Sequence, residues 1–213
     1  MMRRPKKEQI DIIKKFNTTI ISDTFDEMEI HGTMLDLKPI ISGKIVVGPA
    51  VTVYERPVIP FPEKLRLGEA MDACEPGDVI VIDAGNDPYA GTWGGLVSIK
   101  GLLKGVAGVV VDGAARDISE IREYGMPTWS KYVTPISGVR RLKTVSINEP
   151  IHCGGVLVSP GDVIIADDDG VCCIPYDKLD EVIKISNQMY DWEQKVMGEL
   201  KKGLSEAFKK RVI

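Results

Sequence analysis

Gly105-Val106-Ala107-Gly108-Val109-Val110-Val111-Asp112-Gly113-Ala114-Ala115-Arg116-Asp117 decides the fold of this chain. Val109-Val110-Val111 is apolar without alternation, the pattern of a strand buried on both faces. It closes on Asp112-Gly113, and Arg116-Asp117 opens a short helix, Ile118 to Tyr124, that Gly125 and Pro127 end. Upstream, Gly105 is the stop signal of a helix beginning near Leu96 and ending at Lys104. Before it lie a glycine-rich loop, Gly85 to Gly95, and a second buried strand, Val79-Ile80-Val81-Ile82-Asp83. Residues 79–124 thus read strand–helix–strand–helix, which implies parallel strands joined by a right-handed crossover.

Outward from this unit the pattern changes. Ile45-Val46-Val47 and Ala50-Val51-Thr52-Val53-Tyr54 are two short β runs; Pro57, Pro60 and Pro62 mark an exposed connector, and Lys64 to Cys74 reads as helical. Residues 8–16 and 19–28 form two amphipathic helices, with Asn17 or Thr18 as a cap for the second. From Thr128 to Ile174 short β runs dominate, and a long polar helix follows over about 176–202. No linker separates the halves, so residues 1–213 read as one domain. The runs Glu75-Pro76-Gly77-Asp78-Val79 and Ser159-Pro160-Gly161-Asp162-Val163 echo each other. We read them as two turns with the same local physics rather than as a duplication.

The chain has 213 residues, with 27 Lys+Arg against 31 Asp+Glu and a formal charge of −4. That length buries roughly 70% of the unfolded surface in a globular fold. The acidic balance argues against a nucleic-acid binder. No apolar run approaches the ~20 residues of a membrane helix. The basic start, Met-Met-Arg-Arg-Pro-Lys-Lys, is followed by charge rather than an apolar core, so cytoplasmic residence is expected. Cys74, Cys153, Cys172 and Cys173 form no CxxC pair and read as small buried residues in a reducing compartment. A metal site from His152, Cys153, Cys172 and Cys173 lacks zinc spacing. With only His31 and His152, a histidine triad is not expected, and Trp93, Trp129 and Trp192 are scattered as packing residues.

Chemistry concentrates in two stretches. Asp112 to Asp117 sits at the carboxyl end of a buried strand, where open α/β sheets bind ligands. Arg116 offers a planar fork for a carboxylate or an enolate oxygen, and Asp117 a hard oxygen for Mg²⁺ or Mn²⁺. The competing reading has Asp117 capping the helix and Arg116 paired to a nearby acid. In Gly91-Thr92-Trp93-Gly94-Gly95-Leu96-Val97, bare amides at Gly94 to Val97 would form an anion nest at a helix start. The competing reading there is a plain connector. Adjacent parallel strands would bring the two stretches side by side.

The run from Gly105 to Asp117, with Arg122-Glu123-Tyr124-Gly125-Met126-Pro127, resembles the RraA-like family. So do Gly48-Pro49-Ala50-Val51-Thr52-Val53, Gly154-Gly155-Val156, and Pro160-Gly161-Asp162 through Ala166-Asp167-Asp168-Asp169-Gly170-Val171. The resemblance covers roughly residues 20–200 and implies an α/β layered sandwich with a central β-sheet, of the swivelling β/β/α type. The family contains regulators of ribonuclease E. It also contains divalent-metal-dependent 4-hydroxy-4-methyl-2-oxoglutarate / 4-carboxy-4-hydroxy-2-oxoadipate aldolases, which also decarboxylate oxaloacetate.

By position, the resemblance makes Arg116 the holder of the pyruvyl oxygen and Asp117 the anchor of Mg²⁺ or Mn²⁺. It gives the substrate carboxylate to the amides of Gly94, Gly95, Leu96 and Val97. Glu193 matches a glutamate that orders metal-bound water from a neighbouring subunit, in a homotrimer or dimer of trimers. Asp117 fits the metal-enzyme branch. Gly95 stands where the aldolases carry an acid that positions the protonating water. The implied activity is cleavage of a 2-oxo acid through a pyruvate enolate. The alternatives are a non-catalytic binding protein like the ribonuclease E regulators, and the same metal site with another substrate such as a sugar acid.

Overall fold

The computed structural model describes residues 2–57 and 67–201. Pro60, Pro62, residues 64–66 of the expected helix and residue 202 lie outside them. The helices are α1 (Lys7–Ile13), α2 (Thr18–Met28), α3 (Leu67–Ala70), α4 (Gly95–Lys104), α5 (Ile118–Tyr124) and α6 (Leu179–Lys201), the last preceded by a 3-10 turn, Tyr176–Lys178. The strands are β1 (Thr33–Met34), β2 (Lys38–Pro39), β3 (Val46–Pro57), β4 (Val79–Trp93), β5 (Gly108–Ala115), β6 (Thr128–Val133), β7 (Leu142–Ile147), β8 (Ile151–Cys153), β9 (Val156–Val158), β10 (Val163–Ala166) and β11 (Val171–Ile174).

The central sheet runs β1-β11-β10-β3-β4-β5-β6-β2, with β7 paired to β3. Its middle, β3-β4-β5-β6, is parallel, as the apolar runs predict, and the flanking pairs are antiparallel. The expected α/β sandwich therefore holds. Ile80, Ile82, Val109 and Val111 pack with Trp93, Ile121 and Met126 on the α4–α5 side. Val79, Val81 and Val110 face the β8–β9 hairpin with Trp129. α1, α2 and α6 cover β10 and β11 through Phe16, Ile21, Phe25, Val163, Ile165 and Val182. Asn17 caps α2, its side chain accepting from the Ile20 amide at 2.9 Å.

Four expectations need correction. From Val46 the two expected runs are one strand, β3, because Gly48-Pro49 stays extended and the strand switches partners from β10 to β4 there. The loop expected over Gly85 to Gly95 is instead an irregular continuation of β4, whose register against β5 shifts three times before Trp93. The expected helix over Lys64 to Cys74 reduces, among described residues, to the single turn of α3. The long helix expected from about 176 opens as the 3-10 turn and is α-helical only from Leu179. The two Pro-Gly-Asp turns do share their physics. Asp78 accepts from the Glu75 amide at 2.8 Å and Asp162 from the Ser159 amide at 2.7 Å. They deliver β4 and β10 to opposite edges of β3.

Candidate functional site

β5 and β4 end side by side, Trp93 opposite Ala115, so their following loops meet at one edge of the sheet. The Arg116 amide donates to the Trp93 carbonyl at 2.8 Å, fixing one loop on the other. Arg116 and Asp117 then project into the same place. Asp117 is left-handed (φ 54°), an uncommon conformation outside glycine that is frequent at functional sites.

Asp117 occupies the N-cap position of α5 but makes no side-chain bond to its own helix. Its carboxylate reaches α4 instead and accepts from the Gly95 amide at 3.2 Å. Arg116 Nε donates to both Asp117 oxygens, at 3.1 and 3.2 Å. The capping reading is thus overturned for α5, while the acid that Arg116 pairs with is Asp117 itself. The two side chains are 31% and 30% exposed, so solvent screens the pair and a ligand can reach it.

The glycines of the second loop act by close approach. A Cβ on Gly94 would stand 2.6 Å from Asp117 Oδ2. A Cβ on Gly95 would collide with Glu120 Oε2. The two bare positions therefore admit two carboxylates against the start of α4. The first-turn amides of Leu96 and Val97 have no acceptor within the helix and carry its positive end.

Glu120 is the residue that the sequence reading missed. Asp117-x-x-Glu120 has the spacing of a capping box, with Glu120 in the first turn of α5. That spacing was the available signal, but its carboxylate reaches across to α4. Mg²⁺ and Mn²⁺ take one or two carboxylates and keep several waters. Asp117 and Glu120 suit that demand. Among the described residues no group of three or more His, Cys, Asp or Glu would form a complete protein cage.

Glu193 lies on α6, which packs on α1 and α2 rather than on the loops that carry Arg116 and Asp117. Within one chain it is not brought to the site. The cysteines are all free and buried, and burial pushes the Cys74 and Cys172 thiols up to about 12, which suits packing and not thiolate ligation. His31 and His152 are exposed and apart from the site. Trp93 and Trp129 are fully buried, their indole N–H groups donating to Ser98 Oγ and the Asp167 carbonyl.

A family model described as RraA-like, Aldolase/RraA, matches residues 18–173. A Halalkalibacterium halodurans protein named putative 4-hydroxy-4-methyl-2-oxoglutarate aldolase is 37% identical over 179 residues, 83% of this chain and 82% of that protein. Protein DlpA of Legionella pneumophila is 34% identical over 174 residues, 78% of this chain, and the match spans only 27% of DlpA. The crystal structure of Streptomyces coelicolor RraAS2, described as an unusual member of the RNase ES inhibitor RraA protein family, superposes with a TM-score of 0.84 at 29% identity. That match covers 92% of this chain and 99% of RraAS2. Among the described residues no helix is long and apolar enough to cross a membrane.

Proposed function

The chain belongs to the RraA-like (Aldolase/RraA) family, and from that premise we propose that it is a divalent-metal-dependent lyase that cleaves 2-oxo acids to pyruvate. The observation that carries this reading is the meeting of Arg116, Asp117 and Glu120 at the amide-lined start of α4.

The amides of Gly94, Gly95, Leu96 and Val97 receive the substrate carboxylate at the positive end of α4. Arg116 faces the ketone oxygen, where its fixed charge is worth most as that oxygen becomes an enolate. Asp117 would hold Mg²⁺ or Mn²⁺, which would supply further positive charge to the developing enolate. The bond between C3 and C4 breaks and its electron pair enters the C2–C3 unit. In the aldol case Glu120, through a water, takes the hydroxyl proton and returns it to C3, leaving pyruvate and a carbonyl product. In oxaloacetate the C4 fragment leaves as CO₂, and Glu120 relays a proton from solvent water to C3. Glu120 thereby fills the role of the acid absent at residue 95. Gly95, which lacks the aldolases' acid, is the feature that favours a regulatory role, and Glu120 beside that position is what we set against it.

The same reading makes the working unit a homotrimer or dimer of trimers. Leu96 and Val139 are 82% and 74% exposed, and Tyr89 and Val133 are exposed with them on the segments around the site. Exposed apolar fringe of this kind supports a subunit contact. Glu193 would enter the site from the adjoining copy.

The test is pyruvate release from oxaloacetate and from 4-hydroxy-4-methyl-2-oxoglutarate with Mn²⁺, then with EDTA. EDTA-sensitive turnover is expected, and it should vanish in Asp117→Ala. A folded protein with no turnover on either substrate would shift the reading to the binding role.

A further inference from the structure

Glu55 is a carboxyl buried in the sheet, 4% exposed, with no ion pair among the described residues. Its place on β3 is unusual. β3 keeps register with β4 only as far as Tyr54 opposite Asp83, and its pairing with β7 shifts between Tyr54 and Glu55. The ladder to β4 ends there and the ladder to β7 resumes only after a register shift, with Glu55 opposite Thr144, and the Glu55 side chain ties the two neighbouring strands together at that point. Oε2 accepts from Thr92 Oγ1, and Oε1 accepts from Thr144 Oγ1 at 3.0 Å.

Thr92 stands two residues before Gly94 on the irregular part of β4. Its neighbour Trp93 supplies the carbonyl that holds the Arg116 amide. A displacement of Thr92 is therefore felt by the loop amides and by the backbone of Arg116. Thr144 follows the segment 134–142, which returns to Gly91 through the Ile136 carbonyl and the Gly138 amide, each at 2.9 Å. Burying a carboxyl without a cation is unfavourable. An apolar residue would fill the same space without that cost but would hold neither threonine.

We propose that Glu55 is a positioning residue, which through Thr92 sets the Gly94–Val97 backbone that receives the substrate carboxylate. This rests on the reading of the site as a 2-oxo-acid site. The experiment measures pyruvate release from oxaloacetate by the Mn²⁺-loaded full chain. Beside it, calorimetry titrates oxalate, whose planar shape mimics the pyruvate enolate. Thr92→Val should raise KM and weaken oxalate about tenfold, the worth of one hydrogen bond, with kcat little changed. Glu55→Ala should do the same. Glu55→Gln should restore wild-type values, since a carboxamide offers one acceptor and one donor to the two hydroxyls. Thr144→Val should lower Tm and leave KM unchanged.

If Thr92→Val and Glu55→Ala fold, lower Tm and leave KM and oxalate affinity unchanged, Glu55 is structural only and the proposal fails alone. Wild-type protein that neither turns over oxaloacetate nor binds oxalate overturns the site reading and this proposal with it. If Glu55→Ala does not fold, the partly buried Thr92→Val carries the test.

Discussion

Glu120 occupies the volume that any side chain at residue 95 would need: its Oε2 lies inside contact distance of the Cβ that Gly95 lacks. The acid at this edge of the sheet is thus borne by α5 rather than by the loop before α4. Exchanging the two should be possible only in concert. Gly95→Asp alone should disrupt the site by collision. Glu120→Ala alone should lower kcat about 10²- to 10⁴-fold, the usual worth of a placed proton-transfer group. Gly95→Asp combined with Glu120→Ala should recover part of that loss, because the carboxylate returns to the vacated space. Steady-state kinetics of the three variants check this.

Arg116 is expected to act mainly in the transition state. Arg116→Ala should lower kcat by about 10²- to 10³-fold, the range for removal of one preorganised donor to a developing oxyanion. KM should change far less. Arg116→Lys should recover little, since an ammonium keeps the charge but loses the planar fork.

The buried carboxyl of Glu55 gives a pH signature in stability. Burial raises it above the usual glutamate range, opposed in part by the two threonine hydroxyls. The folded chain therefore keeps that proton to higher pH than the unfolded chain does. The contribution is fully present below the ordinary value, about 4.3, and is lost as pH rises through the raised folded value. Asp162 is raised in the same direction, so the wild-type curve contains both. Glu55→Gln isolates one: its Tm relative to wild type should climb as pH rises above that ordinary value and level off once pH passes the raised folded value. A difference independent of pH would refute this.

Arg4 holds a buried acid at the opposite end of the sheet. It bonds both oxygens of Asp78, at 2.5 and 2.9 Å, where the Asp78 side chain is 1% exposed. Arg4→Ala would leave that carboxylate buried with only the Glu75 amide as a partner. The expected cost is about 1.5–3 kcal/mol, the range for hydrogen bonds to a charged group, seen as a lower denaturation midpoint, with pyruvate release unchanged at permissive temperature.

The parallel core was legible because Val79–Ile82 and Val109–Val111 are apolar on both faces, a pattern that only burial between layers explains. The edges of α4 and α5 were legible from Gly105 and Gly125, both left-handed helix ends. The run after Asp83 was not. Its glycines and asparagine read as a loop, yet pairing to β5 imposes strand geometry through successive register shifts. Arg116 and Asp117 were found because charge follows an apolar strand. Glu120 and Glu55 were not, because each acts on a segment remote in sequence. Glu120 has only the spacing of a capping residue and Glu55 only that of a charge after an apolar strand run, and neither pattern signals the contact it makes.

The closed bond pattern around Asp117 has a thermodynamic consequence. One carboxylate holds both Arg116 Nε and the Gly95 amide. Whatever draws Asp117 away frees a guanidinium and an amide together, both suited to a carboxylate or an enolate. The first ligand to arrive must break a screened pair worth about 1 kcal/mol or less, and the second finds its donors already released. On the proposed reading, a cation and a 2-oxo acid should therefore bind with positive coupling, each tightening the other by the same factor.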